Sequence, residues 1–74
     1  MTKEDVIKEA HRHECSVDIS QLGAHELIVI QGKTKKDYLK LLYYNYRWYG
    51  NFNNRVGPKF VDEKWIREKI KELK

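Results

Sequence analysis

The first apolar positions of the chain recur with the period of a helix. Val6, Ile7 and Ala10 form a narrow apolar stripe. Thr2 precedes this stripe, and an acidic residue follows Thr2 three positions later, which is the pattern of a capping box. The sequence therefore predicts a short helix that begins after Thr2 and ends near His13.

The period of the apolar positions then changes from about 3.6 to two. Val17 and Ile19 alternate with polar side chains, which predicts a half-buried strand. A glycine turn leads to a second strand at residues 25–31, whose central four residues are all apolar. Such a strand needs cover on both faces and a partner beyond the hairpin. We expect that partner to be a short third strand at Lys59–Val61 or the same strand of a second copy; the alternative is cover from two helices.

Residues 38–49 carry the densest apolar and aromatic pattern of the chain. At 100° per residue, one broad face collects Tyr38, Leu39, Leu41, Leu42, Tyr46 and Tyr49. Thr34 and Asp37 resemble a helix start, and Gly50 resembles a helix stop. The pattern predicts a central, aromatic-rich core helix.

The last part of the chain predicts a loop and a final helix. Residues 51–58 have loop composition, with three asparagines and a Gly-Pro pair. Asp62 is a helix cap, and the buried stripe after it comprises Trp65, Ile66, Ile70 and Leu73. The predicted fold is one small α+β domain over residues 1–74, in the order helix, strand, strand, helix, loop or short strand, helix. Its antiparallel hairpin packs on the central helix.

Composition narrows the class of protein. The chain has 74 residues and one cysteine, so one domain without an internal disulfide is expected. No apolar run approaches the ~18 residues of a membrane span, and no secretory signal stands at the N-terminus, so we expect a cytoplasmic protein. The net charge of +4 divides unevenly: residues 1–32 carry −3 and residues 33–74 carry +7, together with all the aromatics. This asymmetry favours an anionic partner.

The predicted central helix brings basic and aromatic residues together. Four residues fall at spacings of four, three and four on one line of that helix: Lys36, Lys40, Tyr43 and Arg47. The side chains that flank or extend this line are Tyr44, Trp48, Phe52, Arg55 and Lys59. Cations interleaved with flat rings suit a phosphate backbone and stacked bases. The same residue types are frequent in protein-binding hot spots, and the alternative is an ordinary solvated helix face.

Metal and catalytic chemistry have little support in the sequence. His11 and Cys15 are weak candidate metal ligands one helical turn apart, with His13 on the same side only if the segment is extended. A fourth ligand would have to be His25 or Glu14. No nucleophile, base and orienting group stand in a recognisable arrangement, so we expect no enzyme activity and no cofactor.

The sequence therefore predicts a small basic binding module without enzyme activity, which contacts nucleic acid or a nucleoprotein complex. The alternative is a protein–protein adaptor or inhibitor, of the kind found among phage and prophage accessory proteins. One form of that alternative is a homodimer made by strand pairing.

Overall fold

A computed structural model describes residues 1–55 and 59–74, and this part of the chain forms two helices and five strands. In chain order the elements are α1 (Lys3–Arg12), β1 (Ser16–Leu22), β2 (His25–Gln31), β3 (Tyr38–Tyr44), β4 (Arg47–Phe52), β5 (Lys59–Val61) and α2 (Glu63–Glu72). The strands form one antiparallel sheet in the order β1-β2-β3-β4-β5. The α+β class is confirmed. The loop predicted at residues 51–58 begins two residues later than expected, because residues 51–52 belong to β4. The Gly-Pro pair of that prediction lies outside the described residues.

Both ends of α1 are fixed by local hydrogen bonds. The Thr2 amide donates to Asp5 Oδ2 (2.9 Å), and the Asp5 amide donates to Thr2 Oγ1 (3.2 Å), which confirms the predicted capping box. The hydrogen bonds from Thr2 lower the pKa of Asp5. At the other end Glu14 has a φ of 59°, and the Cys15 amide donates back to the Ala10 carbonyl (2.9 Å). This left-handed residue turns the chain from the helix into β1.

The predicted central helix is wrong, because residues 38–49 form β3, a two-residue turn and β4. Asn45 and Tyr46 in the turn have φ values of 54° and 63°, the backbone of a type I′ hairpin turn. Asp37 does not cap a helix: its Oδ1 accepts a hydrogen bond from Asn53 Nδ2 (2.9 Å). Aromatic side chains favour a pleated sheet, and here each strand places alternate side chains on its two faces.

One face of the sheet, which we call the covered face, packs against both helices. Residues paired across an antiparallel sheet point to the same side, and this side holds the core. Its buried strand residues are Ile28, Ile30, Leu39, Leu41 and Trp48, and the buried helix residues against them include Val6, Ala10, Ile66 and Ile70. Glu9 of α1, only 6% exposed, accepts from Arg67 of α2 (2.7 Å) and so joins the two helices. Neither helix in the described residues is long and apolar enough to cross a membrane.

The doubly apolar strand β2 has both of its edges paired within the chain, to β1 and β3. The prediction that a second copy or residues 59–61 complete its pairing is therefore wrong. The Lys59–Val61 strand exists, but as β5 it pairs with β4 at one edge of the sheet. The sequence pattern does not indicate the partner of β2, because it predicts a helix where β3 lies. Ile28 and Ile30 of β2 face the core, whereas Leu27 and Val29 point to the opposite side.

Gly50 lies within β4 on the covered face, where it allows close packing against α2. A Cβ at this position would lie 2.7 Å from Cζ3 of Trp65 and 3.1 Å from both methyl groups of Val61. We expect Gly50→Ala to lower the free energy of unfolding by about 1–3 kcal/mol, measured by urea denaturation, because the Trp65 ring must shift. In a Trp65→Leu background the same change should cost less. An equal cost in both backgrounds would rule out this contact as the cause.

Candidate binding surface on the open face of the sheet

The side of the sheet opposite the helices, which we call the open face, is covered by no element in the described part of the chain. Antiparallel sheets with one solvated face usually carry polar side chains there. Here the cross-strand pairing aligns a largely apolar set: Leu22, Leu27, Val29, Leu42, Tyr44, Tyr49 and Phe60. Leu22, Tyr44 and Phe60 are 54%, 48% and 59% exposed. Leu27, Val29, Leu42 and Tyr49 are half-buried between these exposed residues, so the open face is a candidate interaction surface.

Four rings form a row across β2, β3, β4 and β5, which we call the aromatic row. His25 packs edge-on against Tyr44, with ring centroids 4.6 Å apart. Tyr44 lies 6.4 Å from Tyr49, and Tyr49 lies 4.7 Å from Phe60. Because each ring comes from a different strand, the backbone ladder fixes the spacing of the row. The ladder thus sets where the four side chains leave the sheet, and the ring contacts join them into a row.

Two cations lie on the open face, Arg47 against a ring of the aromatic row and Lys40 beside Tyr38. The Arg47 guanidinium lies 5.0 Å from the centre of the Phe60 ring, and Lys40 Nζ lies 5.4 Å from the centre of the Tyr38 ring. Asp18 is the acidic residue that the strand register places on this face, in line with Lys40. The open face therefore combines aromatic rings, aliphatic surface and a small excess of positive charge.

A shallow groove of about 270 Å³ lies within the open face. Leu27, Leu42 and Tyr49 supply its apolar side, and Lys40 and Asn54 supply polar groups. The groove adjoins the aromatic row at Tyr49, so a ligand that contacts the rings can also reach Lys40. Flat apolar walls with a few polar groups are typical of ligand grooves.

The structure divides the predicted binding residues between the two faces. Lys40, Tyr44 and Arg47 lie on the open face, whereas Tyr43 and Trp48 lie on the covered face. The predicted line of Lys36, Lys40, Tyr43 and Arg47 does not exist, because strand alternation replaces the helical period. Lys36 stands in the connection between β2 and β3, away from this alternation.

The two residues on the covered face have structural partners. Trp48 is buried and its Nε1 donates to the Met1 carbonyl (2.9 Å). The Tyr43 ring lies 4.9 Å from the Trp48 ring. Both line a cavity of about 400 Å³ beside the start of α1, together with Lys3 and Glu26, which form an ion pair (2.9 Å). Trp48 therefore belongs to the core and takes no part in the open face.

The remaining predicted residues, Phe52, Arg55 and Lys59, come together in a cleft on the covered side of the sheet edge. Helix α2 adds Trp65 and Lys69 to this cleft, which we call the basic cleft. No sequence pattern indicates that Trp65 and Lys69 belong to this cleft, since their proximity to it depends on how the helix docks. Tyr49 and Phe60 of the aromatic row are also absent from the predicted binding residues, and strand alternation is the signal that would indicate them.

The two candidate metal ligands, His11 and Cys15, differ in their exposure to solvent. His11 is an exposed residue in the last turn of α1, whereas Cys15 is buried in the core. Burial raises the pKa of the Cys15 thiol, which disfavours the thiolate that a metal would need. Within residues 1–55 and 59–74 no group of three or more His, Cys, Asp and Glu side chains could hold a metal ion.

Comparison with known proteins gives no match: no family model fits the chain, and no curated protein or solved structure is significantly similar to it. The functional proposal therefore rests on the chemistry and geometry of this chain.

Proposed function

We propose that the open face binds single-stranded nucleic acid, with bases stacked on the aromatic row and phosphates neutralised by Lys40 and Arg47. The observation that carries the proposal is the uncovered row of rings, with Arg47 against Phe60 and with Lys40 on the same face against Tyr38. Aromatic rings on a sheet surface, with basic residues beside them, are a recurrent way to bind unpaired bases.

A single strand suits this surface better than a duplex. The row spans three strand spacings, roughly 14 Å, and presents its rings on a sheet rather than on a helix that could enter a groove. In an unpaired strand the bases are free to turn their faces to Tyr44 and Phe60, the most exposed rings of the row. Stacking on rings has little base preference, so we expect weak sequence selectivity.

The salt dependence of oligonucleotide binding tests the ionic part of this proposal. Each phosphate contact on a single strand contributes about −0.7 to the slope of log K against log salt concentration. The double change Lys40→Gln/Arg47→Gln removes two cations, and we expect it to make the slope shallower by about 1.4. The measurement is fluorescence anisotropy of a labelled single strand at several salt concentrations.

The matched control for this experiment is Lys64→Gln/Lys71→Gln, which removes the same charge from exposed positions of α2. We expect the control to keep a slope within about 0.3 of the wild-type slope. An equal change in both double variants would mean that only net charge matters. Absence of binding to any single strand would overturn the proposal.

We propose protein docking as the second candidate, because of Leu22, Leu27 and Leu42. These aliphatic side chains occupy the β1–β3 half of the open face, where a peptide or a second copy would find apolar contacts. An adaptor or inhibitor would use the same face without dependence on phosphate. Flat oligonucleotide titrations, with concentration-dependent association in analytical ultracentrifugation, would favour this candidate.

A further inference from the structure

The basic cleft has a different character from the open face. It lies where β4 and β5 meet α2 and encloses about 190 Å³. The rings of Phe52 and Trp65 form its apolar walls, and three cations reach it: Arg55, Lys59 and Lys69. Gly50 lies at the base, and the absence of a side chain there keeps the Trp65 ring close to the sheet. The residues come from β4, the turn after it, β5 and α2.

The ammonium groups are gathered around shared rings. Lys59 Nζ lies 5.4 Å and Lys69 Nζ 5.8 Å from the centre of the Trp65 ring, and Lys69 Nζ also lies 5.1 Å from the centre of the Phe52 ring. Cation–π contacts place both ammonium groups around the Trp65 ring at the cleft. A bound anion would give the ammonium groups that reach the cleft an opposite charge to face.

Little negative charge from the protein balances this cluster. Lys69 Nζ pairs with Glu72 Oε2 at 3.4 Å, and the Glu72 side chain is 54% exposed. Among the described residues no carboxylate pairs with Arg55 or Lys59, and no acidic residue lines the cleft. Elsewhere in the described structure Lys3, Lys33, Arg12 and Arg67 all pair with acidic side chains.

We propose that the basic cleft is a binding site for a phosphate group, separate from the open face. Arginine and lysine side chains only donate hydrogen bonds, and a phosphate group only accepts them once it is fully ionised. A phosphate monoester carries about −1.5 to −2 charges at pH 7, so three cations match it better than they match a carboxylate. The ligand is inorganic phosphate or the terminal phosphate of a nucleotide. This inference does not rest on the function proposed for the open face.

The indole N–H signals of Trp65 and Trp48 in a ¹⁵N-correlated NMR spectrum provide the test. Trp65 forms a wall of the cleft, whereas Trp48 is buried elsewhere in the core and serves as an internal reference. The probe is inorganic phosphate, titrated at constant ionic strength against acetate. We expect phosphate to shift the Trp65 signal in a saturable way and acetate to bind at least tenfold more weakly. Equal responses to the two anions would overturn the proposal.

Charge removal locates the site. We expect Lys59→Gln/Lys69→Gln to weaken phosphate binding by tenfold or more, and the single change Arg55→Gln to weaken it by a smaller factor. The control Lys64→Gln/Lys71→Gln removes the same charge outside the cleft and should leave the phosphate affinity within twofold. Unchanged affinity in the cleft variants would overturn the proposal. The single Arg55 change provides the answer if the double variant fails to fold.

A comparison of adenosine 5′-monophosphate with adenosine identifies the source of the phosphate. If the nucleotide binds more tightly than inorganic phosphate, the cleft takes a nucleotide end; if the two affinities are equal, it recognises phosphate alone. A Trp65 shift with adenosine as large as that with the nucleotide would overturn the proposal. Failure here leaves the open face untouched, since none of these ligands contains a polynucleotide backbone.

Discussion

Leu41→Ala is expected to lower the free energy of unfolding by about 2–5 kcal/mol, enough to unfold much of so small a domain. Leu41 is fully buried on the covered face, and its removal would leave a cavity in the core. The next residue, Leu42, is half-buried on the open face, and we expect Leu42→Ala to cost no more than about 1 kcal/mol. Urea denaturation of the two variants measures the difference.

This pair also separates the two structures that the sequence allowed. A central helix would place Leu41 and Leu42 on the same core face, so both changes would be severe. A strand places the two neighbours on opposite faces, so one is severe and the other mild. Similar large losses for both variants would contradict the hairpin of β3 and β4.

Tyr44→Ala/Phe60→Ala is expected to weaken binding of a single-stranded oligonucleotide by at least about 30-fold. Each base stacked on a ring contributes about 1–3 kcal/mol, and every 1.4 kcal/mol is a factor of ten. Both side chains are exposed, 48% and 59%, so the fold should tolerate their removal. Fluorescence anisotropy measures the affinity, and thermal unfolding checks the fold.

The adjacent Tyr43 offers a matched control for the loss of a tyrosine ring. It is 44% exposed, close to the 48% of Tyr44, but it points to the covered face, where its ring contacts Trp48. Tyr43→Ala should therefore bind the oligonucleotide within about threefold of the wild type. If Tyr43→Ala and the single change Tyr44→Ala weaken binding equally, the open face is not the binding surface.

The terminal helices and the first hairpin could be predicted because their signals are local. Thr2 and Asp62 cap the helices as the sequence indicates, and the Asp62 side chain accepts from the Trp65 amide (2.8 Å). In β1, Val17 and Ile19 alternate with polar residues, which fits a period of two and therefore a strand, but does not fit a helix. Where a segment carries both a start signal and a single clear period, sequence analysis identifies it correctly.

The segment of β3 and β4 could not be assigned in the same way, because most of its positions are apolar or aromatic. A dense apolar run fits a period of 3.6 and a period of two equally well. The decisive signal was the turn, where Asn45 and Tyr46 adopt positive φ. Asparagine is favoured in a type I′ turn, but tyrosine in place of the usual glycine hid the hairpin.

The candidate sites were predictable in composition but not in arrangement. Basic and aromatic side chains are indeed concentrated after residue 32, yet their grouping depends on strand alternation and on the docking of α2. Lys40 and Arg47 share the open face with Tyr49 and Phe60. The predicted helix would bury Tyr49, and Phe60 is not among the predicted binding residues. Lys59 and Lys69 are ten residues apart in the sequence, and both contact the Trp65 ring. No local sequence pattern predicts this shared contact.

The arrangement of strands and helices has a consequence for how the chain folds. Every strand pairs with its neighbour in sequence, so the sheet can assemble from local hairpins at low loop-closure cost. The helices that cover it come from distant parts of the chain, and the Glu9–Arg67 ion pair that joins them spans 58 residues. A nascent chain therefore carries a sheet whose covered face has only α1 to pack against until α2 leaves the ribosome. Aggregation during synthesis should be governed by the time α2 takes to dock, rather than by the pairing of strands.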